Sequence, residues 1–237
     1  MAIENGNYIK LSYTGSVNGV PFDATGVDEA KKAGIFRENA MYGPVVVKVG
    51  VGRVLPGVDE DLVGKEIGRE YTVVVPAAKA FGEHKKADMK AIDKKTLPQK
   101  VSVLDCVTVE GREGIVVNKV GGRYLVDFNH PLAGQAVSYV YKIEALVEDP
   151  IEMLAGTIRL FTGREMKVCN VPKDFVSIEI PPMMAMYNQN WTMTEYLITQ
   201  EAFGLFPEIA AVKFVETFTR PHPKIDGEVE EGGAVPG

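Results

Sequence analysis

The stretch from Tyr13 to Asp23, YTGSVNGVPFD, runs from an aromatic residue through a glycine-containing turn to Phe22-Asp23. Upstream, residues 7–13 alternate apolar and polar side chains, which predicts a strand with one buried face. Gly15 to Pro21 carry turn chemistry. Downstream, residues 24–43 show no clean period and read as a loop with one helical turn near Asp28–Lys32. Val45 to Val49 form a second apolar run. Pro56-Gly57 then opens a short helix, with proline at an early position where its missing N–H costs nothing. Gly64 and Gly68 close that helix, and Glu70 to Val75 read as a third strand.

The composition then shifts. Residues 83–100 are lysine-rich and polar. Short strands follow at 106–110, 115–120 and 123–128, the last two flanking Gly121-Gly122, a two-residue hairpin signal. Residues 137–147 alternate again, and Asp149-Pro150 reads as a boundary. Beyond it, 151–161 have helical spacing closed by Gly163. Residues 166–171 and 175–180 read as a strand pair. Thr192 and Glu195 resemble a capping box opening a helix to about Phe203, stopped by Gly204. A last strand spans 210–219, and residues 221–237, rich in Pro, Gly and acids, read as a disordered tail.

The 237 residues allow one large domain or two to three small ones. The hydrophobic fraction of 46% and charged fraction of 24% are those of an ordinary globular protein. A formal charge of −6 argues against a nucleic-acid partner held through phosphates. The sequence contains no run of about 18 apolar residues, so no membrane span is expected. The N-terminus has no basic-then-apolar signal, from which a cytoplasmic location is expected. Cys106 and Cys169 are expected free and buried, and His84, His130 and His222 show no ligand spacing with them, so no metal is expected.

Val47 to Gly52 follow a strand and precede a helix, as a dinucleotide loop does. The third glycine such a loop needs is Leu55 here, so nucleotide binding is not expected. No nucleophile stands in a recognisable relay. Asp59, Glu60 and Asp61 read as the solvated face of a short helix. The informative pattern is an ordered set: Tyr13-Thr14-Gly15, Gly19, Phe22-Asp23, Gly50, Val54-Leu55-Pro56-Gly57, Val75-Pro76 and Ala80-Phe81-Gly82. Each piece alone is core plus turn. Together they resemble the FKBP family of peptidyl-prolyl cis-trans isomerases. Val126 to Gln135, VDFNHPLAGQ, is similar to the segment by which SlyD-like members return from a domain inserted in the flap. The long 24–43 loop and the extra C-terminal part resemble the longer archaeal members.

The resemblance implies an α+β chain: an antiparallel sheet wrapped on a short helix (1–82 and 131–149), a small β-rich insert (83–130) and a C-terminal α+β domain (150–220). It implies catalysis by Tyr13, Asp23, Leu55, Phe81 and Tyr139, with Phe22, Val45, Val54 and Val58 completing a proline pocket and no cofactor. Phe22, Val54, Leu55 and Tyr139 would wall the proline ring, and the Leu55 amide would bind a substrate carbonyl. Three positions depart from the family pattern. Val58 and Val45 replace aromatics, and Phe81 lacks the hydroxyl that a tyrosine would donate. The insert is implied to hold unfolded chains, and Val101, Val103, Leu104, Ile115, Val117 and Leu125 are more apolar residues than so small a module easily buries. The expected partners are unfolded polypeptides with X–Pro bonds. A holdase with a vestigial pocket is the alternative. Met183, Met184, Met186 and Met193 read as core in preference to a contact surface, with a homodimer through the C-terminal domain left open.

Overall fold

A computed structural model describes residues 2–98, 100–169, 174–188 and 190–220. The chain divides into two compact units, 1–165 and 166–237. In the first, β1 (Tyr8–Val17) runs ten residues, longer than its alternation predicts. It turns at Asn18-Gly19, both at positive φ, into β2 (Val20–Ala24), whose first two residues the sequence reading takes for turn. The difference lies in Pro21: it opposes Ser16 beside a register shift between Gly15 and Ser16, where a missing N–H is tolerated.

Helix α1 (Val27–Lys32) is the helical turn expected inside the 24–43 loop. Strand β3 (Val45–Lys48) pairs with the first half of β1, on the edge whose second half takes β2. Helix α2 (Pro56–Leu62) begins at proline and buries Val58, Asp59 and Leu62. Gly57 lets it approach β4 (Glu70–Val75), since a Cβ there would lie 2.4 Å from the Val75 side chain.

Strands between Met89 and Asp127 form a separate four-stranded antiparallel sheet, in the order β5-β8-β7-β6. Its strands are β5 (Met89–Asp93), β6 (Cys106–Val109), β7 (Arg112–Val120) and β8 (Arg123–Asp127). β5 hides within a lysine-rich run that carries no alternation. One face of this sheet buries Leu97, Val107, Val116, Tyr124 and Val126. The chain re-enters the first sheet as β9 (Val137–Val147), a central strand between β1 and β4. Ile9, Leu11, Val47, Val58, Leu62, Tyr141 and Ile143 form the core between that sheet and α2.

Helix α3 (Pro150–Thr162) is capped by the Asp149 carboxylate and ends on left-handed Gly163. It belongs to the first unit. Gly156 allows it to lie against β3, because a Cβ there would sit 2.3 Å from the Val46 side chain. Arg159 Nη2 donates to the Tyr42 carbonyl at 2.6 Å, and Lys10 pairs with Glu152 at 2.6 Å. The first compact unit therefore includes α3 and runs to Glu165.

The second unit holds β10 (Lys167–Cys169), β11 (Phe175–Ile180), α4 (Met184–Tyr187), α5 (Trp191–Leu205) and β12 (Ala211–Glu216). β10 and β11 are antiparallel, but β11 and β12 are parallel, which requires the helical crossover between them. The cap of α5 is Asn190 rather than Thr192, and the helix passes through Gly204 instead of stopping there. Trp191 packs edge-on against Phe214. Of the four methionines expected in the core only Met184 is buried, while Met183, Met186 and Met193 are exposed. Both cysteines are free, but Cys106 is exposed at the start of edge strand β6 and Cys169 is half-buried. The expected tail at 221–237 lies outside the described residues.

Candidate functional site

Five separate segments converge on one cleft of about 420 Å³. β1 and β9 supply Tyr13 and Tyr139, β2 supplies Phe22 and Asp23, the approach to α2 supplies Val54 and Leu55, and the exit toward the insert supplies Phe81. All nine pocket residues expected from the sequence (Tyr13, Phe22, Asp23, Val45, Val54, Leu55, Val58, Phe81 and Tyr139) line this cleft. Gly15 makes the crowding possible: it pairs across the sheet with Tyr139 and Asp23, and a Cβ on it would lie 2.9 Å from both the Phe22 and the Tyr139 rings. The rings meet obliquely or edge to face, with Tyr13–Tyr139 centroids 5.5 Å apart, Phe22–Phe81 5.6 Å and Phe22–Tyr139 6.0 Å.

Tyr13 Oη donates to Asp23 Oδ2 at 3.0 Å, which fixes the carboxylate against the apolar wall. Burial and the neighbouring Asp23 hold the Tyr13 hydroxyl well above its usual range and push Tyr139 up to about 12. Both hydroxyls therefore stay protonated at neutral pH, and charging either beside Asp23 would add a second anion.

The loop bearing Val54 and Leu55 hangs from α2. Asp59 is 6% exposed and accepts from the Gly50 and Gly52 amides, each at 2.8 Å. Asp61 accepts from Tyr141 Oη at 2.6 Å and pairs with Lys65 at 3.2 Å. The expected solvated carboxylate face thus holds for Glu60, which pairs at the surface with Lys79, but not for Asp59, which ties down the loop from inside.

Five further residues line the cleft outside the set expected from the sequence: Leu11, Arg53, His130, Leu132 and Leu160. Leu160 arrives on α3, which no local signal connects to the cleft. His130 and Leu132 were legible in principle. An inserted segment must leave and return at neighbouring points, which brings VDFNHPLAGQ beside Ala80-Phe81-Gly82. The junction is clamped by Asn129, whose side chain accepts from the Lys85 amide at 2.8 Å and donates to its carbonyl at 3.0 Å.

None of the six apolar insert residues lines the cleft. Val101 packs against the core of the insert. Ile115 and Leu125 are half-buried, while Val103, Val117 and Leu104 are exposed, Leu104 by 80%. Ile115 opposes Asp127 and Leu125 opposes Ala91, on the face turned away from Val116, Tyr124 and Val126.

Among the described residues no group of three or more His, Cys, Asp or Glu side chains could hold a metal ion, and no helix is long and apolar enough to cross a membrane. The family described as FKBP-type peptidyl-prolyl cis-trans isomerase matches residues 1–104, the FKBP26 IF domain matches 82–132 and the FKBP26 C-terminal family 152–219. The chain carries an FKBP-type peptidyl-prolyl cis-trans isomerase domain together with the FKBP26 IF and C-terminal domains. A short-type peptidyl-prolyl cis-trans isomerase of Methanocaldococcus jannaschii is 27% identical over 147 residues, 60% of this chain and 92% of that protein. The FKBP-type isomerase SlyD of Treponema pallidum is 26% identical over 130 residues, 52% of this chain and 74% of its own length. A trigger factor of Geotalea daltonii is 28% identical over 83 residues, 35% of this chain and 16% of that protein. Through its FKBP-type domain, the chain is an isomerase of X–Pro peptide bonds.

Proposed function

We propose that the Tyr13–Asp23–Tyr139 cleft is where this FKBP twists the X–Pro amide. Rotation must overcome amide resonance, a barrier of about 18–20 kcal/mol. The planar amide is more charge-separated than the twisted one, so an apolar cleft that excludes water stabilises the twisted state relative to the ground state without any proton transfer. Phe22, Val54, Leu55 and Tyr139 hold the proline ring, Val58 and Val45 lie beneath it, and the Leu55 amide N–H at the start of α2 donates to the substrate carbonyl. Asp23, oriented by Tyr13, lies beside the rotating bond. The observation that carries the reading is the convergence of sequence-distant segments on one aromatic cleft with a single oriented carboxylate. Asp23→Ala and Tyr139→Ala should each lower kcat/KM on an X–Pro peptide with the fold retained. Undiminished activity in both would remove this cleft from the mechanism.

The insert, 83–130, is proposed to hold unfolded or partly folded chains near the cleft through Val103, Leu104, Ile115, Val117 and Leu125. Support comes from the one-sided burial of its sheet, which leaves apolar side chains uncovered on the other face. A tethered second contact raises the local concentration of prolines to about the millimolar range. Replacing 83–130 by a short glycine-containing turn should spare catalysis on short peptides and slow proline-limited refolding of whole proteins. If refolding keeps its rate, the insert is not a binding module. If short-peptide activity is also negligible in the intact chain, the protein acts as a holdase. The exposed Met183, Met186 and Met193 are the face through which the C-terminal unit would pair with a second copy.

A further inference from the structure

The cleft carries a polar group for which the reading above has no use. His130 lies on the re-entry segment, flat against Phe81, with ring centroids 4.4 Å apart and planes 3° from parallel. Its Nδ1 accepts the Leu132 amide at 3.1 Å. A backbone N–H is an unambiguous donor, so the neutral ring must carry its proton on Nε2. The preceding residue, Asn129, is locked to Lys85 and to Asp127 Oδ1, and Pro131 stiffens the chain that follows. Three independent contacts thus set the position, plane and tautomer of one side chain on the rim of the catalytic cleft. Among the described residues, no hydrogen bond engages the His130 Nε2 atom.

The substrate supplies the other half of the argument. A peptide bound by its proline brings main-chain carbonyls on either side of the ring, and a carbonyl pressed against aromatic walls without a donor is costly. Two other polar side chains of the cleft are committed. Tyr13 Oη donates to Asp23, and the Arg53 guanidinium lies over the Phe161 ring. Phe81, at the exit side, offers no hydroxyl. We propose that His130 is a catalytic residue of this FKBP, its Nε2–H donating to a main-chain carbonyl that flanks the substrate proline. Phe81 acts as the platform that aims it.

The inference rests on the cleft assignment, and the test separates the two. kcat/KM on an X–Pro peptide is measured for the full chain, His130→Phe, His130→Gln, Phe81→Tyr and the His130→Phe/Phe81→Tyr pair, with Asp23→Ala in parallel and melting followed for each. His130→Phe keeps a stacking ring and loses the donor, and should lower kcat/KM about two- to tenfold, the range of one neutral hydrogen bond. His130→Gln retains an N–H and should keep more activity than His130→Phe. Phe81→Tyr adds a hydroxyl on the same wall and should raise kcat/KM by a larger factor in the His130→Phe background than in the parent, because there it replaces a missing donor. Unchanged kcat/KM in a folded His130→Phe protein, equal loss in His130→Gln, or the same Phe81→Tyr factor in both backgrounds overturns the proposal. Should Asp23→Ala also leave activity intact, the cleft itself is at fault rather than the donor.

Discussion

Replacing Asp59 by alanine tests whether the catalytic wall is held up from inside the protein. The carboxylate is buried and accepts two backbone amides, Gly50 and Gly52, at 2.8 Å each. Both glycines sit at positive φ, 81° and 71°, so the loop they shape depends on its anchor. A hydrogen bond to a charged group contributes about 1.5–3 kcal/mol. Losing two, with some return as water enters and the loop relaxes, gives an expected destabilisation of about 2–5 kcal/mol for Asp59→Ala. Asp59→Asn keeps one acceptor and should lose about half of that. Glu60→Ala, at an exposed pair with Lys79, should cost under about 1 kcal/mol. Urea unfolding followed by circular dichroism, with amide exchange at Gly50 and Gly52, reads the loop directly. Because the loop delivers Val54 and Leu55, KM for a proline peptide should rise in the same variant. An Asp59→Ala protein within about 0.5 kcal/mol of the parent, with both amides still protected, would refute the reasoning.

Gly15→Ala would place a methyl 2.9 Å from both the Phe22 and Tyr139 rings, so one wall must move. Overpacking of this kind costs about 1–3 kcal/mol, and peptide kcat/KM should fall with it; a variant unchanged in both would show that the aromatic walls are looser than their spacing implies. Tyr13, Tyr139 and Tyr141 all have raised folded-state pKa values, Tyr139 to about 12, each with burial as the largest cause and an aspartate next. Above the ordinary tyrosine value near 10 the unfolded chain loses these protons before the folded one does. Stability from this source is therefore complete below about pH 10 and is lost as pH rises toward 12 and beyond. Tyr139→Phe should flatten the decline between pH 10 and 12, as read by urea midpoints beside tyrosinate absorbance, and an equal slope in both proteins would contradict the assigned environment.

Local chemistry carried the elements, and through them most of the site. Alternation in 7–13 and 137–147, the proline start of α2 and the glycine stop at Gly163 depend on residues a few positions apart, and each is readable without knowing what lies across the sheet. The ordered set from Tyr13 to Gly82 worked for the same reason: aromatic residues beside obligatory glycines mark places where rings and backbone crowd. Burial of a particular carboxylate is a different kind of fact. Asp59 and Glu60 are adjacent and chemically alike, yet only the loop at Gly50 and Gly52, folded back on α2, makes one an anchor and leaves the other at the surface. β2 was hidden by Pro21, whose missing donor is harmless only beside the Gly15–Ser16 register shift. Leu160 reaches the cleft because Gly156 lets α3 lie on β3, and His130 because an insert must return where it left. Local pattern follows from bond geometry within a few residues of each position. Which face of an element is covered, and by what, depends on pairings tens of residues apart, and only the tertiary structure decides those.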